Sequence, residues 1–389
     1  MILLEKNIYF CGEKHPERSI FDQLIPLPQG TTYNSYLVIG SEKTALIDTM
    51  YPPLIDRLMK TLEANHVESI DYIVANHGEQ DHSGALPTLL EKFPNAVIVT
   101  NPKCKELLMA EHHIAEEKFQ VISDRETLSL GDKTLEFYFT PWVHWPDTMF
   151  TLVKEDKVLF TCDFLGAHHT DGELFADYSK ELETSAKRYY AEIMMPYRTF
   201  CKKYVALIDE IAPKTICPSH GPIYKDPKFI MDLYRKWVSD EVEKKVVIPY
   251  VSMYNSSYEM AKRLNDRLQK AGIETVLADL VHTDEGEVAM ELVDAGAVVL
   301  ACSMVLAGPH PKAVYVAYLM NLIKPKMKYF SILGSYGWGG RLTETIDSLI
   351  PMVKAEKLDY IVVKGKPTSD DLDKVDKLAD ELIEKMNAL

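Results

Sequence analysis

Three observations predict an α/β chain with two unlike halves: an α/β sandwich of antiparallel or mixed sheets with helices outside, then a doubly wound parallel sheet. Short β-like runs follow one another irregularly up to about residue 243, strands and helices alternate regularly from 245 to 389, and the change comes at KWVSDEVEK, residues 236–244. In the first half the strand candidates are TYNSYLVIG, KTALIDT, SIDYIVANH, AVIVT, TLSL, LEFYFTP, TMFTLV and KVLFTCD. They are rich in β-branched and aromatic residues and bounded by polar or turn-forming ones. Between them PLIDRLMKTLEAN, residues 53–65, carries apolar residues at helical spacing, and YSKELETSAKRYYAEIMM and YRTFCKKYVALIDEIAP form a helical stretch that closes before CPSHGP.

In the second half KKVVIPYVS is a strand, NSSYEMAKRLNDRLQKAG a helix, and IETVLADL, GAVVLACS and MKYFSILGS are three further strands. TETIDSLIPMVKAEK reads as a helix, LDYIVV as the fifth strand and SDDLDKVDKLADELIEKM as the closing helix. Near-continuous apolar strands that alternate with helices are those of a parallel sheet covered on both faces. The expected domains are therefore residues 1–243 and 244–389.

Composition excludes several function classes. A formal charge of -15 disfavours nucleic acid and anionic membrane as partners, which both select a basic footprint. Cysteines at 11, 104, 162, 201, 217 and 302 form no C-x-x-C pair, so neither a rubredoxin-type iron nor a redox dithiol is expected. The N-terminal MILLEKNIYF lacks the pattern of a secretory signal, and no apolar run approaches a membrane span. The expectation is a reduced, cytoplasmic, soluble protein.

The chemistry begins at ANHGEQDHSG, residues 75–84, where His77, Glu79, Asp81 and His82 crowd the end of an apolar run. Such groups are costly beside Val and Ile unless something satisfies them, and a metal would. His77, Glu79 and Asp81 are two apart, so an extended backbone projects them to one side, while a turn at Asp81 and His82 lets neighbours grip two ions. His144 in TPWVHWPD, Asp163 in LFTCDFLG and His220 in TICPSHGP also follow apolar runs. Alone, either histidine is more often structural and an aspartate more often caps a turn; as a set with the first cluster they point to a metal centre.

HGEQDH with these later ligands resembles the metallo-β-lactamase superfamily motif H-x-H-x-D-H, with Glu79 where the second histidine would stand. That change substitutes a hard oxygen for a nitrogen, and three carboxylates, Glu79, Asp81 and Asp163, better tolerate oxidation to the ferric level, which favours two irons over two zincs. The full pattern, including FTPWVHWPDTMF around His144, resembles the diiron domain of the flavodiiron proteins, or A-type flavoproteins, with its αββα sandwich. The resemblance implies that His77, Glu79 and His144 hold one iron, Asp81 and His220 the other, and that Asp163 bridges them. His82 matches a position that ligates the second iron in some members and is displaced in others, and it joins the expected metal ligands.

The second half agrees with that resemblance. After its first strand, SMYNSS places Ser252, Met253, Tyr254, Asn255, Ser256 and Ser257 at a strand-to-helix turn, a phosphate cradle without a lysine. It resembles the FMN-phosphate loop of flavodoxins, with Asn255 replacing a common glycine but tolerating a left-handed backbone. A second flavin-contacting loop is expected over Cys302–His310, where Ser303, Met304, Val305 and Leu306 depart from the family's S-P-T-x-N. GSYGWGG at 334–340 resembles the loop over the flavin ring, through Ser335, Tyr336, Gly337, Trp338 and Gly339.

The resemblance implies an oxidoreductase that passes electrons from an external donor through FMN to a non-haem diiron site. The first expected reaction is four-electron reduction of O2 to water, with nitric oxide reduction to N2O as the alternative. Reduced rubredoxin, reduced F420 or a separate reductase are the expected donors, and a head-to-tail homodimer or a tetramer the expected assembly. His168 and Tyr190 flank ligand segments and are weighed as neighbours of the site. The runner-up is a metallo-β-lactamase-like hydrolase such as a thioesterase with a regulatory flavodoxin-like domain; a non-catalytic scaffold or gas sensor is a third class.

Overall fold

Alternation along the first strands decides the first layers. Val38, Ala45, Ile47, Val74 and Val99 point to one face and pack with Leu135, Phe137, Met149, Val153, Val158 and Phe160, whereas Leu37, Leu46, Ile73 and Ile98 point to the other and meet Leu58, Leu62, Leu86, Leu89 and Leu108 of the helices. Side chains of period two bury both faces of one sheet, one against helices and one against a second sheet. The computed structural model describes all residues 1–389, and it divides into one unit of 1–190 with 197–238 and another of 239–389 with 191–196.

In the first unit a seven-stranded mixed sheet runs Ile2–Glu5, Ile8–Phe10, Tyr36–Ile39, Thr44–Ile47, Tyr72–Val74, Val97–Thr100, Phe119–Val121. The facing sheet has five strands, Thr127–Ser129, Thr134–Phe139, Met149–Val153, Val158–Cys162 and Thr215–Pro218, antiparallel except for the last pair. Helices Ile55–Ala64, Leu86–Lys92 and Pro102–His112 cover the first sheet. This is the metallo-β-lactamase-like sandwich.

The second unit has five main parallel strands, Glu243–Val251, Glu274–Asp279, Ala295–Val305, Tyr329–Tyr336 and Ile361–Lys364, in the order second, first, third, fourth, fifth. That is the flavodoxin-like order. Two expectations are corrected. The helix expected over 343–357 stops at Leu349, because Ile350 and Pro351 break it and Glu356–Lys357 joins the sheet edge. The expected Cys302–His310 loop is mostly strand and hairpin: Ala295–Val305 continues through it, turns at Leu306 and Ala307, and pairs back through Gly308–Pro309.

No helix is long and apolar enough to cross a membrane.

Candidate functional site

Four strands of the first unit end on one cluster of side chains. Tyr72–Val74 leads to His77 and Glu79, Thr134–Phe139 to His144, Val158–Cys162 to Asp163 and Thr215–Pro218 to His220. Beyond the last ladder hydrogen bond the backbone is free to aim side chains at a common point. Asp81 does not share a side with His77 and Glu79, as an extended backbone would have it: Gln80–Ser83 is one turn of helix, which swings Asp81 and His82 elsewhere.

Two donor groups result. In the first, Glu79 Oε2 lies 3.2 Å from His77 Nε2 and 3.3 Å from His144 Nε2. In the second, Asp81 lies 3.2 Å from both His82 Nε2 and His220 Nε2. Asp163 stands between them: Oδ2 faces His77 and His144 at 3.7 Å each, and Oδ1 lies 3.0 Å from His82 and 3.3 Å from His220. Both Asp81 oxygens and His82 Nε2 are buried without a partner in hydrogen-bond geometry, although they nearly touch. Lone pairs that converge in this way fit cations rather than one another, and a nitrogen and carboxylate donor set suits iron.

Neighbouring groups hold the candidate ligands in place. Asp147 Oδ2 accepts from His77 Nδ1 at 3.0 Å and from the Gly78 amide at 2.7 Å, and the Thr32 carbonyl accepts from His220 Nδ1 at 2.6 Å. Each bond uses the outer ring nitrogen and leaves Nε2 facing the cluster. Without metal, burial alone would depress these imidazoles. Asp147 overrides it at His77, Asp163 and Asp81 override it at His82, and hydrogen bonds to Asp163 and Asp81 carry His220 up to about 10. Burial raises Asp163 and Glu79, but the histidines hold both carboxylates well below the usual range.

His168 is buried beside the cluster, its ring 5.2 Å from that of His220, with Nδ1 bonded to Thr31 Oγ1 at 2.8 Å. Burial, then the charge of His220, pushes it well down, so it is neutral. Tyr190 turns away and donates to the Trp237 carbonyl at 3.2 Å. Its neighbour Tyr189 reaches the site instead, donating to Asp163 Oδ1 at 3.2 Å. The signal was in the helix phase, since Leu182, Ser185, Ala186 and Tyr189 form the buried stripe of Lys180–Tyr189. Sequence reasoning also missed Asp147, although it stands three residues beyond His144, and Arg18, which stacks on Tyr51 at 4.3 Å over a cavity of 290 Å³ bounded by Phe21, Asp22, Glu79 and Trp145.

In the second unit the expected flavin residues lie at the carboxyl edges of three adjacent strands: Ser252–Ser257 after the first, Ser303–Leu306 at the third and Ser335–Gly339 at the fourth. Open parallel sheets bind ligands at this edge. Asn255 is left-handed at φ 67° and precedes the helix Ser256–Lys270. Ser257 is not a free donor, because its hydroxyl already bonds the Val251 carbonyl at 2.9 Å. Ser303 Oγ is buried without a partner, a Cβ at Gly337 or Gly339 would meet nothing within 4 Å, and Tyr254, Leu306 and Trp338 are exposed. An orphan hydroxyl, bare backbone and uncovered apolar side chains together fit a flat, polar-edged cofactor.

A model of the ODP family beta lactamase matches residues 31–221 and one of flavodoxin matches 248–376. The chain is 34% identical over 343 residues to the nitric oxide reductase of Moorella thermoacetica, covering 87% of this chain and 85% of that one. It is 34% identical over 368 residues to the coenzyme F420H2 oxidase of Methanothermobacter marburgensis, covering 89% of each. The structure of rubredoxin oxygen:oxidoreductase from Desulfovibrio gigas superposes with a TM-score of 0.95 at 29% identity, covering 100% of this chain and 98% of that one.

Proposed function

The chain belongs to the flavodiiron proteins, and from that premise we propose that it is a reductase of O2, forming water, with nitric oxide reduction as its second reaction. A flavodiiron-type oxidoreductase with a diiron site and a flavodoxin domain reduces one or both gases. The observation that carries the reading is the pair of donor groups joined through Asp163 in a chain that also carries the flavin-type sheet edge.

His77, Glu79 and His144 are assigned to one iron and Asp81, His82 and His220 to the other, with Asp163 shared, while Ser252–Ser257, Ser303–Leu306 and Ser335–Gly339 are assigned to FMN. Residues 1–243 and 244–389 are the corresponding halves. When loaded, two irons and one FMN supply the four electrons that O2 needs, whereas two NO molecules need two. The residues present do the rest. Asp147 and the Thr32 carbonyl orient His77 and His220, Tyr189 holds a hydroxyl proton on Asp163 Oδ1, and the small cavity under Arg18 and Trp145 suits an uncharged diatomic.

The donor is proposed as reduced rubredoxin, reduced F420 or a separate reductase. Two similar proteins support the first two: one is a rubredoxin oxygen:oxidoreductase and one a coenzyme F420H2 oxidase. Exposed Tyr254, Leu306 and Trp338 support burial against a second copy in a head-to-tail homodimer or tetramer, and six buried cysteines outside any disulfide fit a reducing cytoplasm. Anaerobic stopped-flow on the iron- and FMN-loaded protein tests the reading. Reoxidation by O2 faster than by NO is expected; faster reoxidation by NO reverses the order of the two gases, and slow reoxidation by both overturns the reading.

A further inference from the structure

The two donor groups contain the same ligand types, two histidines and one carboxylate each with Asp163 shared, yet they are backed differently. Behind the first, Asp147 is fully buried and places a whole negative charge on the outer nitrogen of His77, with the same oxygen anchored by the Gly78 amide. Behind the second, the partner of His220 is the neutral Thr32 carbonyl. A carboxylate behind an imidazole makes the ring a stronger donor and adds anionic charge within a few ångströms of the ion.

The remaining charges do not cancel this difference. Asp48 is buried near the second group and its charge reaches His82, but its oxygens accept from the Asn76 amide, the Asn76 side chain and, at 3.4 Å, Ser219, and none is hydrogen-bonded to a ring of the cluster. Asp22, at the cavity mouth, faces Glu79, Asp81 and His144 alike and so acts on both groups. Arg18 lies near both groups: it bonds the Tyr33 hydroxyl, whose ring is 5.6 Å from His220, and it bounds the cavity that Glu79 and Asp81 also line. What distinguishes the first pocket is therefore a buried carboxylate hydrogen-bonded directly to the ring of His77, where His220 has a neutral carbonyl.

We propose that Asp147 makes the two iron positions electronically unequal, so that the single ferric ion of the half-oxidised centre resides in the His77–Glu79–His144 pocket. The inference rests on the diiron reading. With iron bound, the first electron would pass from the ion held by His77, Glu79 and His144 to the oxidising mediator; no bond would break, and Asp147 would keep the His77 Nδ1 proton between the ring and its carboxylate. Asp147 touches no reacting atom; it is a positioning residue that acts through His77.

Two measurements on the holoprotein test this. Mediated redox titration of the wild type and Asp147→Asn, followed by the electron paramagnetic resonance of the half-oxidised state, reads the two one-electron steps separately. Asparagine keeps an acceptor for His77 and Gly78 but removes the charge. The expected result is an about tenfold loss of ferric preference in the first oxidation, about 59 mV for one electron, with a smaller change in the second. Spatially resolved anomalous diffraction at the iron edge, from a wild-type crystal poised at half-oxidation, needs no variant and is expected to show the higher edge energy in the His77 pocket. An iron-loaded variant with both steps unmoved, or a ferric ion found beside His220, overturns the inference while the diiron reading stands. A wild type that binds no iron overturns both.

Discussion

His220 shows how much of this centre is decided by one side chain. Its ring bridges two carboxylates and a carbonyl, all in the protein interior, and without metal it holds a proton up to about pH 10. A histidine whose folded pKa is raised stabilises the fold fully below its ordinary value of 6.5, and that stability is lost as pH rises through the folded value. His77 and His82 shift the same way. The metal-free protein is therefore expected to lose melting temperature from pH 6.5 toward pH 10, and a flat profile by scanning fluorimetry contradicts the assignment. Iron must displace those protons, so its affinity rises over the same window, which competition with a chelator at several pH values measures. Replacing His144 or His220 with Ala removes a donor outright, and iron content by elemental analysis should fall with turnover while FMN stays bound. His144 and His220 were legible only as a set with the HGEQDH cluster, since either histidine alone is more often structural, whereas Asp147 was not: an acidic residue in a loop carries no signal until His77 is seen to donate to it.

Elements were legible where the residue pattern expresses a period. The alternating strands and the helix with Leu58 and Leu62 buried appear where their patterns place them. Short turns were not. Leu306 and Ala307 both take positive φ, 52° and 62°, in a two-residue hairpin loop that Asn-Gly would usually announce. The one-turn helix of Gln80–Ser83 is too short for any period, so the turn that separates Asp81 from Glu79 came from the motif and its family resemblance and not from periodicity. The hairpin makes its own prediction through Gly340, where a Cβ would fall 1.9 Å from Met304 Cε and 3.0 Å from the Ala307 carbonyl. Gly340→Ala must displace Met304 from the flavin edge and should lower the FMN-to-protein ratio after gel filtration. At Gly337 a Cβ meets nothing within 4 Å, so Gly337→Ala should change stability by less than about 0.5 kcal/mol. Equal FMN retention by the wild type and Gly340→Ala would count against packing of the hairpin at the cofactor.

At the scale of the whole molecule, two units with separate cores predict separable cofactors. A chain ending at residue 243 should keep much of its iron but not sustain turnover with the donor, and 244–389 should accept electrons without efficiently reducing O2. Gas consumption by the first fragment and the intact protein, both iron-loaded, decides it: equal rates defeat an electron relay through FMN. The sequence by itself determined the two fold classes, and it singled out the residues proposed for the metal centre, because periodicity and the cost of burying polar groups act locally along the chain. Only the tertiary structure decided the distances within the two donor groups, that His82 stands with Asp81 and His220, and that a carboxylate stands behind His77 but a carbonyl behind His220. Those facts depend on where strands far apart in the chain end relative to one another, and Asp147 lies 70 residues from the histidine it supports.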